Sequence, residues 1–332
     1  MSISPSYGKS LRILTWHVHG SYLYYLTQTP CEFYLPVKEG RPEGYGGRSG
    51  SFIWGDNVQE IKVSELRDLE FDCILFQSRK NYLEDQFEIL TEEQRALPKI
   101  YLEHDPPREV PTDTKHVVND PEVLIVHVTH FNNLMWDNND CPSKVIDHGV
   151  MIPERVQYTG ELEKGIVVIN GLAGRGRRLG LDIFERVRQE IPLDIVGMGS
   201  KDVGGLGEVP ITELPAFTAR YRFFFNPIRY TSLGLAVCEA MMTGLPIVGL
   251  ATTEMSVTIE NDLSGYIHTD VDFLIEKMKI LLDDPVKAFE LGSGARAVAN
   301  KRFNINRFGK DWMQTFQYVV HNHSREKIKL EV

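Results

Sequence analysis

Short apolar segments alternate with helical patterns along most of the chain, and no other feature of the sequence restricts the fold as strongly. In the first half these segments are rich in Val, Ile and Leu and are bounded by polar residues, Gly or Pro. Such segments are typical of parallel strands that are buried on both faces. The predicted strands are Leu11–Val18, Cys73–Gln77, Ile100–Glu103, Val123–Val128 and Val145–Ile146.

A second series of strands and helices follows the first. Its predicted strands are Ile166–Ile169, Leu193–Val196, Phe223–Phe225, Pro246–Leu250 and Tyr266–Ile267, and its predicted helices are Leu181–Gln189, Leu233–Met242, Phe273–Leu282 and Val286–Asn300. Two such series in tandem predict an α/β protein with two doubly wound domains. The segment Met151–Gly165 has Pro, Gly and mixed charge without apolar periodicity, as in a linker. We therefore expect domains at residues 1–152 and 153–303, and a last helix over Asn306–Tyr318 within residues 304–332.

Composition excludes several classes of protein. The 36 Lys and Arg residues against 46 Asp and Glu residues give a net charge of −10, so no overall attraction to nucleic acid or anionic lipid is expected. The four cysteines include no C-x-x-C pair, and Cys73 and Cys238 lie in apolar segments, so we expect buried thiols in a reducing compartment. No apolar run is long enough for a transmembrane helix or a signal peptide, which predicts a cytoplasmic protein.

The segment Asn226–Val248 is the most informative for function. Its pattern is a strand end, a loop with Ser and Gly, a helix that contains Glu239, and another strand. The amides of Thr231–Leu235 lie at the helix N-terminus, where unpaired N–H groups and the helix dipole suit a phosphate. A carboxylate at Glu239 could accept hydrogen bonds from a ribose diol. The alternative is an ordinary crossover with a surface glutamate.

Three arginines crowd a glycine-rich segment at the start of the second series. Arg175, Arg177 and Arg178 follow a strand and precede a helix, and guanidinium groups bind phosphate oxygens with two parallel hydrogen bonds. The segment therefore suits a diphosphate, and a solvated basic loop is the alternative. A further strand ends in Gly197 and Gly199, ahead of Gly205–Pro210.

These segments together resemble the retaining glycosyltransferases of family 4, the group 1 glycosyl transferases, which have the GT-B fold. The signature of that family is Glu-Gly-Phe-Gly-Leu, three residues, then Glu-Ala-Met. The residues that match are Gly234, Leu235, Glu239, Ala240 and Met241, followed by Gly244 and Pro246. The first glutamate of the signature falls at Thr231, and Ser232 and Leu233 replace the glycine and the aromatic residue.

The resemblance implies two Rossmann-like domains that face each other across a cleft, with a C-terminal helix that crosses back to the first domain. It also implies roles for residues of the second domain. The donor diphosphate would contact Arg175, Arg177, Arg178, Thr231, Ser232, Leu233, Gly234 and Leu235, the ribose would contact Glu239, and the nucleobase would lie beside Gly207, Glu208 and Val209.

In the first half, the resemblance assigns His104 to the catalytic site. The residue follows a predicted strand, and the family places a histidine there beside the reacting carbon of the donor sugar. The alternative is a histidine that only caps the strand end. His19, Gly20 and Ser21 correspond to the glycine turn of the family, near the donor phosphate and the acceptor. The segment Ile146–Val150 resembles the turn that ends the first domain, and is interpreted as a marker of the fold.

The function implied is transfer of a hexose, with retention of configuration, from a nucleoside diphosphate sugar to a glycan or lipid-linked sugar in polysaccharide biosynthesis. UDP-glucose is the favoured donor, and no cofactor and no metal ion are expected. The partners are the nucleotide sugar and the acceptor, with no nucleic acid and only transient contact at the cytoplasmic membrane face; the sequence predicts no oligomeric state. Because Thr231 replaces the first glutamate, a non-catalytic scaffold that binds sugar nucleotides stays open, as does an epimerase or hydrolase.

Other chemistries fit the sequence less well. The paired histidines assemble no set of three or four metal ligands. The Asp270-Val-Asp272 pair resembles the metal-binding motif of the other major glycosyltransferase fold, but it precedes a predicted helix, where Asp is a favoured N-cap, so the cap is preferred. The loose glycine pattern from Gly174 to Gly180 is interrupted by arginines, which disfavours nicotinamide binding, and no Gly-x-Ser-x-Gly motif occurs. For the glycine-rich segment Gly40–Gly55, a disordered connection and an acceptor-binding loop are both open.

Overall fold

A computed structural model describes the backbone of residues 10–330 and the side chains of residues 10–323. The chain divides into two compact units. Their boundaries, here called changes of unit, lie between Ile146 and Asp147 and between Ile305 and Asn306. The first change lies ahead of the segment that has the composition of a linker. We call the part before Asp147, together with the part after Ile305, the first unit, and the part between them the second unit.

The first unit is built on a parallel sheet of seven strands in the order β3-β2-β1-β4-β5-β6-β7. The strands are β1 (Arg12–Thr15), β2 (Glu32–Val37), β3 (Val58–Lys62), β4 (Cys73–Phe76), β5 (Lys99–Glu103), β6 (Val123–His127) and β7 (Ser143–Val145). The helices before the change of unit are α1 (Gly20–Leu26), α2 (Gln86–Ile89), α3 (Glu92–Arg95) and α4 (His130–Met135), with a 3-10 helix at Val63–Asp68 and a π-helix at Asn81–Asp85.

The prediction of five strands in this half was wrong, because β2 and β3 were missed. β2 contains Pro36, and proline normally argues against a central strand because it cannot donate to a ladder. Here β1 pairs only with the Glu32–Tyr34 part of β2, so Pro36 interrupts no bond to β1. β3 is a polar edge strand that pairs on one side only, so it lacks the apolar run of a buried strand.

The second unit is built on a parallel sheet of five strands in the order β12-β11-β10-β8-β9. The strands are β8 (Leu162–Val168), β9 (Leu193–Val196), β10 (Tyr221–Asn226), β11 (Ile247–Leu250) and β12 (Gly265–His268). The helices are α5 (Leu172–Arg175), α6 (Leu181–Val187), α7 (Leu214–Thr218), α8 (Leu235–Thr243), α9 (Met255–Thr258), α10 (Val271–Asp283) and α11 (Pro285–Arg302), with 3-10 helices at Gly176–Leu179 and Ser200–Val203. The two parallel sheets with their helices confirm the predicted α/β class.

The last helix, α12 (Ile305–Leu330), is longer than the predicted Asn306–Tyr318 and packs on the first unit. Phe308, Trp312 and Phe316 are fully buried along one face of it. The Trp312 indole N–H donates to the Tyr22 hydroxyl at 3.2 Å, and the Phe316 ring meets Phe33 of β2 edge to face. This apolar stripe explains why α12 packs against the core that is built by residues before Asp147.

Candidate functional site

The strand order of the second unit fixes where a ligand can bind. From β8 the chain moves to β9 on one side, whereas β10, β11 and β12 lie on the other side, so the order reverses between β8 and β10. In open α/β sheets, ligands bind at the carboxyl ends of the strands at this reversal. The segments that leave these two strand ends are residues 169–180, here called the basic segment, and residues 227–234, here called the β10–α8 loop. Both contain residues that the sequence assigns to the donor.

The basic segment has regular structure where the sequence indicated only a glycine-rich loop. It forms the short helix α5 and then a 3-10 turn, Gly176–Leu179. Gly171 and Gly176 have φ of +62° and +52°, and each stands at the start of one of these turns. The glycines therefore separate two tight helical turns, because they adopt left-handed backbone angles at little cost. Arg175 and Arg177 are exposed and Arg178 is partly buried.

The basic segment and the β10–α8 loop contact each other directly. The carbonyl of Arg178 accepts the backbone N–H groups of Arg229 and Tyr230, at 3.1 and 3.3 Å. A Cβ atom on Gly180 would lie 2.0 Å from the Pro227 carbonyl oxygen, and Gly180 also has φ of +84°. Only glycine allows this approach, which places Arg178 beside the loop that leads to Thr231.

Ion pairs reinforce this contact. Asp182, at the start of α6, accepts hydrogen bonds from Arg177 of the basic segment and from Arg229 of the loop. The hydrogen bond from Arg229 and the charges of both arginines hold the pKa of Asp182 below its usual range. Arg177 thus contacts a carboxylate of the protein, which the sequence did not indicate. Arg229 was not recognised as part of this region, since its partner Asp182 lies 47 residues away.

Helix α8 begins at Leu235, two residues later than predicted. Gly234 is its N-cap, with extended backbone angles, so Leu233 belongs to the loop. Glu239 lies in the middle of α8 with a relative exposure of 8%. The alternative of a surface glutamate is therefore wrong. A carboxylate is rarely buried to this degree unless it has partners, and this burial fits a binding role.

His148 holds the β10–α8 loop from a distance of 85 residues along the chain. Its Nε2 lies 2.7 Å from the Leu233 carbonyl oxygen, and both residues are buried. A carbonyl only accepts hydrogen bonds, so the proton of this bond is on Nε2. The sequence suggested only a marker of the fold here, and no local pattern indicates a contact with residues so far along the chain.

The predicted nucleobase loop is anchored at Gly207. The Gly207 carbonyl accepts from the N–H of Gly197, at 2.9 Å, and its own N–H donates to the Ser200 hydroxyl, also at 2.9 Å. Gly207 is buried, whereas Glu208 is exposed and Val209 partly exposed. The backbone of Gly207 is therefore hydrogen-bonded within the loop itself.

The first unit has its own reversal of strand order, between β1 and β4. Gln77 follows β4, and its amide nitrogen donates to the Thr15 hydroxyl and the Trp16 carbonyl, both at 2.9 Å. Its amide oxygen therefore faces His104, whose Nε2 lies 3.1 Å away and donates to it. The His19 ring lies 4.1 Å from the His104 ring. The structure thus brings these two predicted histidines together.

The predicted glycine turn starts helix α1, and Gly20 is its first residue. A Cβ on Gly20 would lie 3.0 Å from both the His17 and the Phe52 side chains. Ser21 is partly exposed in the first turn of the helix. Gly20 therefore packs closely against Phe52, which belongs to the glycine-rich segment.

That glycine-rich segment follows a defined path, so the alternative of a disordered connection is wrong. His17 Nδ1 contacts the Gly47 carbonyl oxygen at 2.6 Å. The Arg41 guanidinium bonds both carboxylate oxygens of Glu60, at 2.8 and 3.0 Å. Near the end of the segment, the Phe52 ring stacks on Tyr24 with 5.2 Å between centroids. An acceptor-binding role for the segment stays a hypothesis.

Asp270 is the N-cap of α10, as predicted, and not one of a pair of metal ligands with Asp272. The Asp270 side chain accepts from the Asp272 N–H at the start of α10, and Asp272 pairs with Arg186. Among the residues whose side chains are described, no group of three or more His, Cys, Asp or Glu side chains is arranged to hold a metal ion. In the same part of the chain, no helix is both long and apolar enough to cross a membrane.

Two doubly wound parallel α/β units in one chain are the architecture of the GT-B glycosyltransferases. Residues 164–284 match the family model described as Glycosyl transferases group 1. This range includes Glu239 and also the basic segment and the β10–α8 loop, which together are here called the two donor segments. This match confirms the resemblance predicted from the sequence, and it supports a sugar transferase. A comparison of the sequence with curated proteins gives no match.

Solved structures of similar fold include several glycosyltransferases. Sucrose-phosphate synthase from Thermosynechococcus elongatus is 12% identical with a TM-score of 0.71, over 94% of this chain and 100% of that chain. Anabaena HepE in complex with UDP and glucose is 13% identical with a TM-score of 0.65, over 93% and 100%. A glycosyltransferase from Rickettsia africae is 11% identical with a TM-score of 0.61, over 95% and 100%. Identities this low establish the shared GT-B fold alone.

Proposed function

We propose that the protein is a retaining glycosyltransferase that moves a hexose from a UDP-sugar, with UDP-glucose as the favoured donor, to a glycan or lipid-linked sugar. The observation that carries the proposal is the buried Glu239 in α8, directly behind the Thr231–Leu235 loop and within the residues that match the family. A carboxylate in this place suits a ribose diol. UDP is favoured because HepE, of the same fold, was solved with UDP and glucose.

The donor diphosphate is proposed to bind between the two donor segments. Arg178 lies where the basic segment contacts the β10–α8 loop. The residues Thr231–Leu235 precede and begin α8, and the N–H groups at the start of a helix suit a phosphate. Positive groups there would stabilise the charge that develops on the leaving diphosphate. Arg175 is exposed and available for a phosphate oxygen. No metal ion and no cofactor are part of the proposal.

The first unit is proposed to bind the acceptor and to contact the sugar through His104. Because Nε2 of His104 donates to Gln77, the ring is held in a defined orientation beside the end of its strand. The leaving diphosphate would take the acceptor proton, so no enzyme nucleophile is required. His19 and Ser21 would lie beside the acceptor.

The second candidate is a GT-B scaffold that binds a sugar nucleotide without transfer. Thr231 favours this candidate, because it has no carboxylate where the family signature has one. Both candidates predict UDP binding, and they differ in turnover. Release of UDP from UDP-glucose that increases with an added glycan acceptor supports the transferase, release that does not depend on the acceptor supports a hydrolase, and the absence of any release supports the scaffold.

The test of the donor site is Glu239→Gln, titrated with UDP by calorimetry. The loss of charged hydrogen bonds to the ribose should cost about 1.5–3 kcal/mol, or roughly 10- to 150-fold in affinity. Glu290→Gln, an exposed position on α11, is the control and should bind UDP as the parent protein does. If Glu239→Gln binds UDP with unchanged affinity, the assignment of the ribose to Glu239 is wrong.

A further inference from the structure

Arg229 connects the two donor segments through its side chain. Its Nη1 and Nη2 donate to the two carboxylate oxygens of Asp182 at 2.6 and 2.8 Å, and Nη1 also donates to the Arg177 carbonyl at 2.7 Å. Arg177 Nη1 donates to the same carboxylate at 2.6 Å. One carboxylate thus holds two guanidinium groups, one from each segment.

The backbone of Arg229 adds a further bond, since its N–H donates to the Arg178 carbonyl at 3.1 Å. Arg229 therefore contacts Arg177, Arg178 and Asp182 at once, and it lies two residues before Thr231. The planar fork of the guanidinium fixes both distance and angle, which an ammonium group cannot do.

We propose that Arg229 is a positioning residue, which together with Asp182 sets the distance between Arg178 and the amides of Thr231–Leu235 for a nucleoside diphosphate. The inference rests on the proposed function, and it gives Arg177 a different role from the one expected. Arg177 supports the network, and the phosphate is bound by Arg175, Arg178 and the β10–α8 loop. A small displacement of a binding group from its productive position lowers function strongly, so the network matters although it does not touch the ligand.

Positioning and simple electrostatics predict opposite results for Asp182→Asn. The Asp182 carboxylate is a negative charge close to the proposed diphosphate site, so its removal should strengthen UDP binding if charge alone decides. If the carboxylate positions the two segments, its removal should weaken UDP binding. Arg229→Lys makes the same distinction from the other side, because it keeps the charge and loses the fork.

The experiment titrates the full chain and its variants with UDP and with uridine. We expect Asp182→Asn and Arg229→Lys each to bind UDP about 3- to 10-fold more weakly, in line with a partly exposed ion-pair network, and uridine affinity to change less than about twofold. Arg220→Lys is the matched control, because Arg220 pairs with Glu161 at 2.7 Å outside the donor segments. Its UDP affinity should equal that of the parent protein.

Three results would overturn the inference: tighter UDP binding by Asp182→Asn, unchanged UDP binding by both variants, or equal losses for UDP and uridine. Equal losses would show a general structural role, and thermal unfolding of each variant confirms that folded protein is titrated. If one of the two variants does not fold, the UDP and uridine affinities of the other are enough to test the inference. If the parent protein does not bind UDP, the proposed function itself is wrong. If the parent protein binds UDP and the variants bind it equally well, only the role of Arg229 and Asp182 is wrong.

Discussion

His127 shows at the scale of a single residue what burial does to a side chain. It ends β6, is fully buried, and its Nε2 contacts the Asn138 side-chain oxygen at 2.8 Å. Burial lowers its pKa from 6.5 to about 4, and the bond to Asn138 opposes the shift only in part. The folded protein therefore keeps His127 neutral under conditions in which the unfolded chain binds a proton.

This difference predicts a pH dependence of stability. Between pH 6.5 and 4 the unfolded state binds one more proton at His127 than the folded state does, so the free energy of unfolding falls as pH falls through this window. The loss should approach about 3 kcal/mol at pH 4. Chemical denaturation at several pH values should show a shallower fall for His127→Gln than for the parent protein. His321→Gln, at an exposed position, is the control, and equal slopes for the parent protein and His127→Gln would contradict the prediction.

At the scale of elements, the proposed donor site depends on how closely the basic segment and the β10–α8 loop approach each other. Gly180 allows the 3-10 turn before α6 to meet the β10–α8 loop at Pro227. His148 holds the same loop from the other end through Leu233. The path of the loop before Glu239 is thus set by contacts with segments that are distant along the chain.

Gly180→Ala should disturb this approach. A methyl group would lie 2.0 Å from the Pro227 carbonyl oxygen at a residue with φ of +84°, so the loop must shift. We expect a loss of about 1–3 kcal/mol in the free energy of unfolding. Weaker UDP binding should accompany this loss. Gly174→Ala is the matched control in the same segment, because a Cβ there meets nothing within 4 Å and its backbone has no positive φ. Equal behaviour of the two variants in denaturation and titration would refute the role of Gly180.

At the scale of the whole molecule, the chain returns to the first unit after it completes the second. The changes of unit at Ile146 and Ile305 mean that the first unit includes two separate parts of the sequence. Helix α12 contributes Phe308, Trp312 and Phe316 to that unit, all fully buried. The first unit therefore depends on residues that are among the last in the chain.

Trp312→Ala should lower the stability of the first unit. A large cavity beside Tyr22 and Phe316 is expected to cost about 3–5 kcal/mol. Hydrogen exchange read out by mass spectrometry should show lost protection in peptides from β1, β2 and α1, and less change in peptides from β10 and α8. Tyr318→Ala, on the same helix with 61% exposure, is the control. A uniform loss of protection in both units would contradict the prediction.

The sequence by itself determined the class of fold and the resemblance to the group 1 glycosyl transferases. Buried parallel strands must be apolar on both faces, so their runs are visible in one dimension, and Asp270 was recognised as an N-cap because a cap is a local property. The signature around Glu239 was also visible, because its loop and its helix are adjacent in the sequence and the motif is therefore one continuous stretch. The polar edge strand β3 was missed because one-sided pairing leaves a weaker pattern.

Only the tertiary structure decided which residues meet. His148 and Leu233, Arg229 and Asp182, and His104 and Gln77 are separated by 85, 47 and 27 residues, and no local pattern links them. The burial of Glu239 was likewise fixed by packing of α8 against other elements, and a sequence shows the residue type but not its surroundings. Within each unit, the order of strands brings their carboxyl ends to one edge of the sheet, and this is why residues from remote segments of that unit meet there.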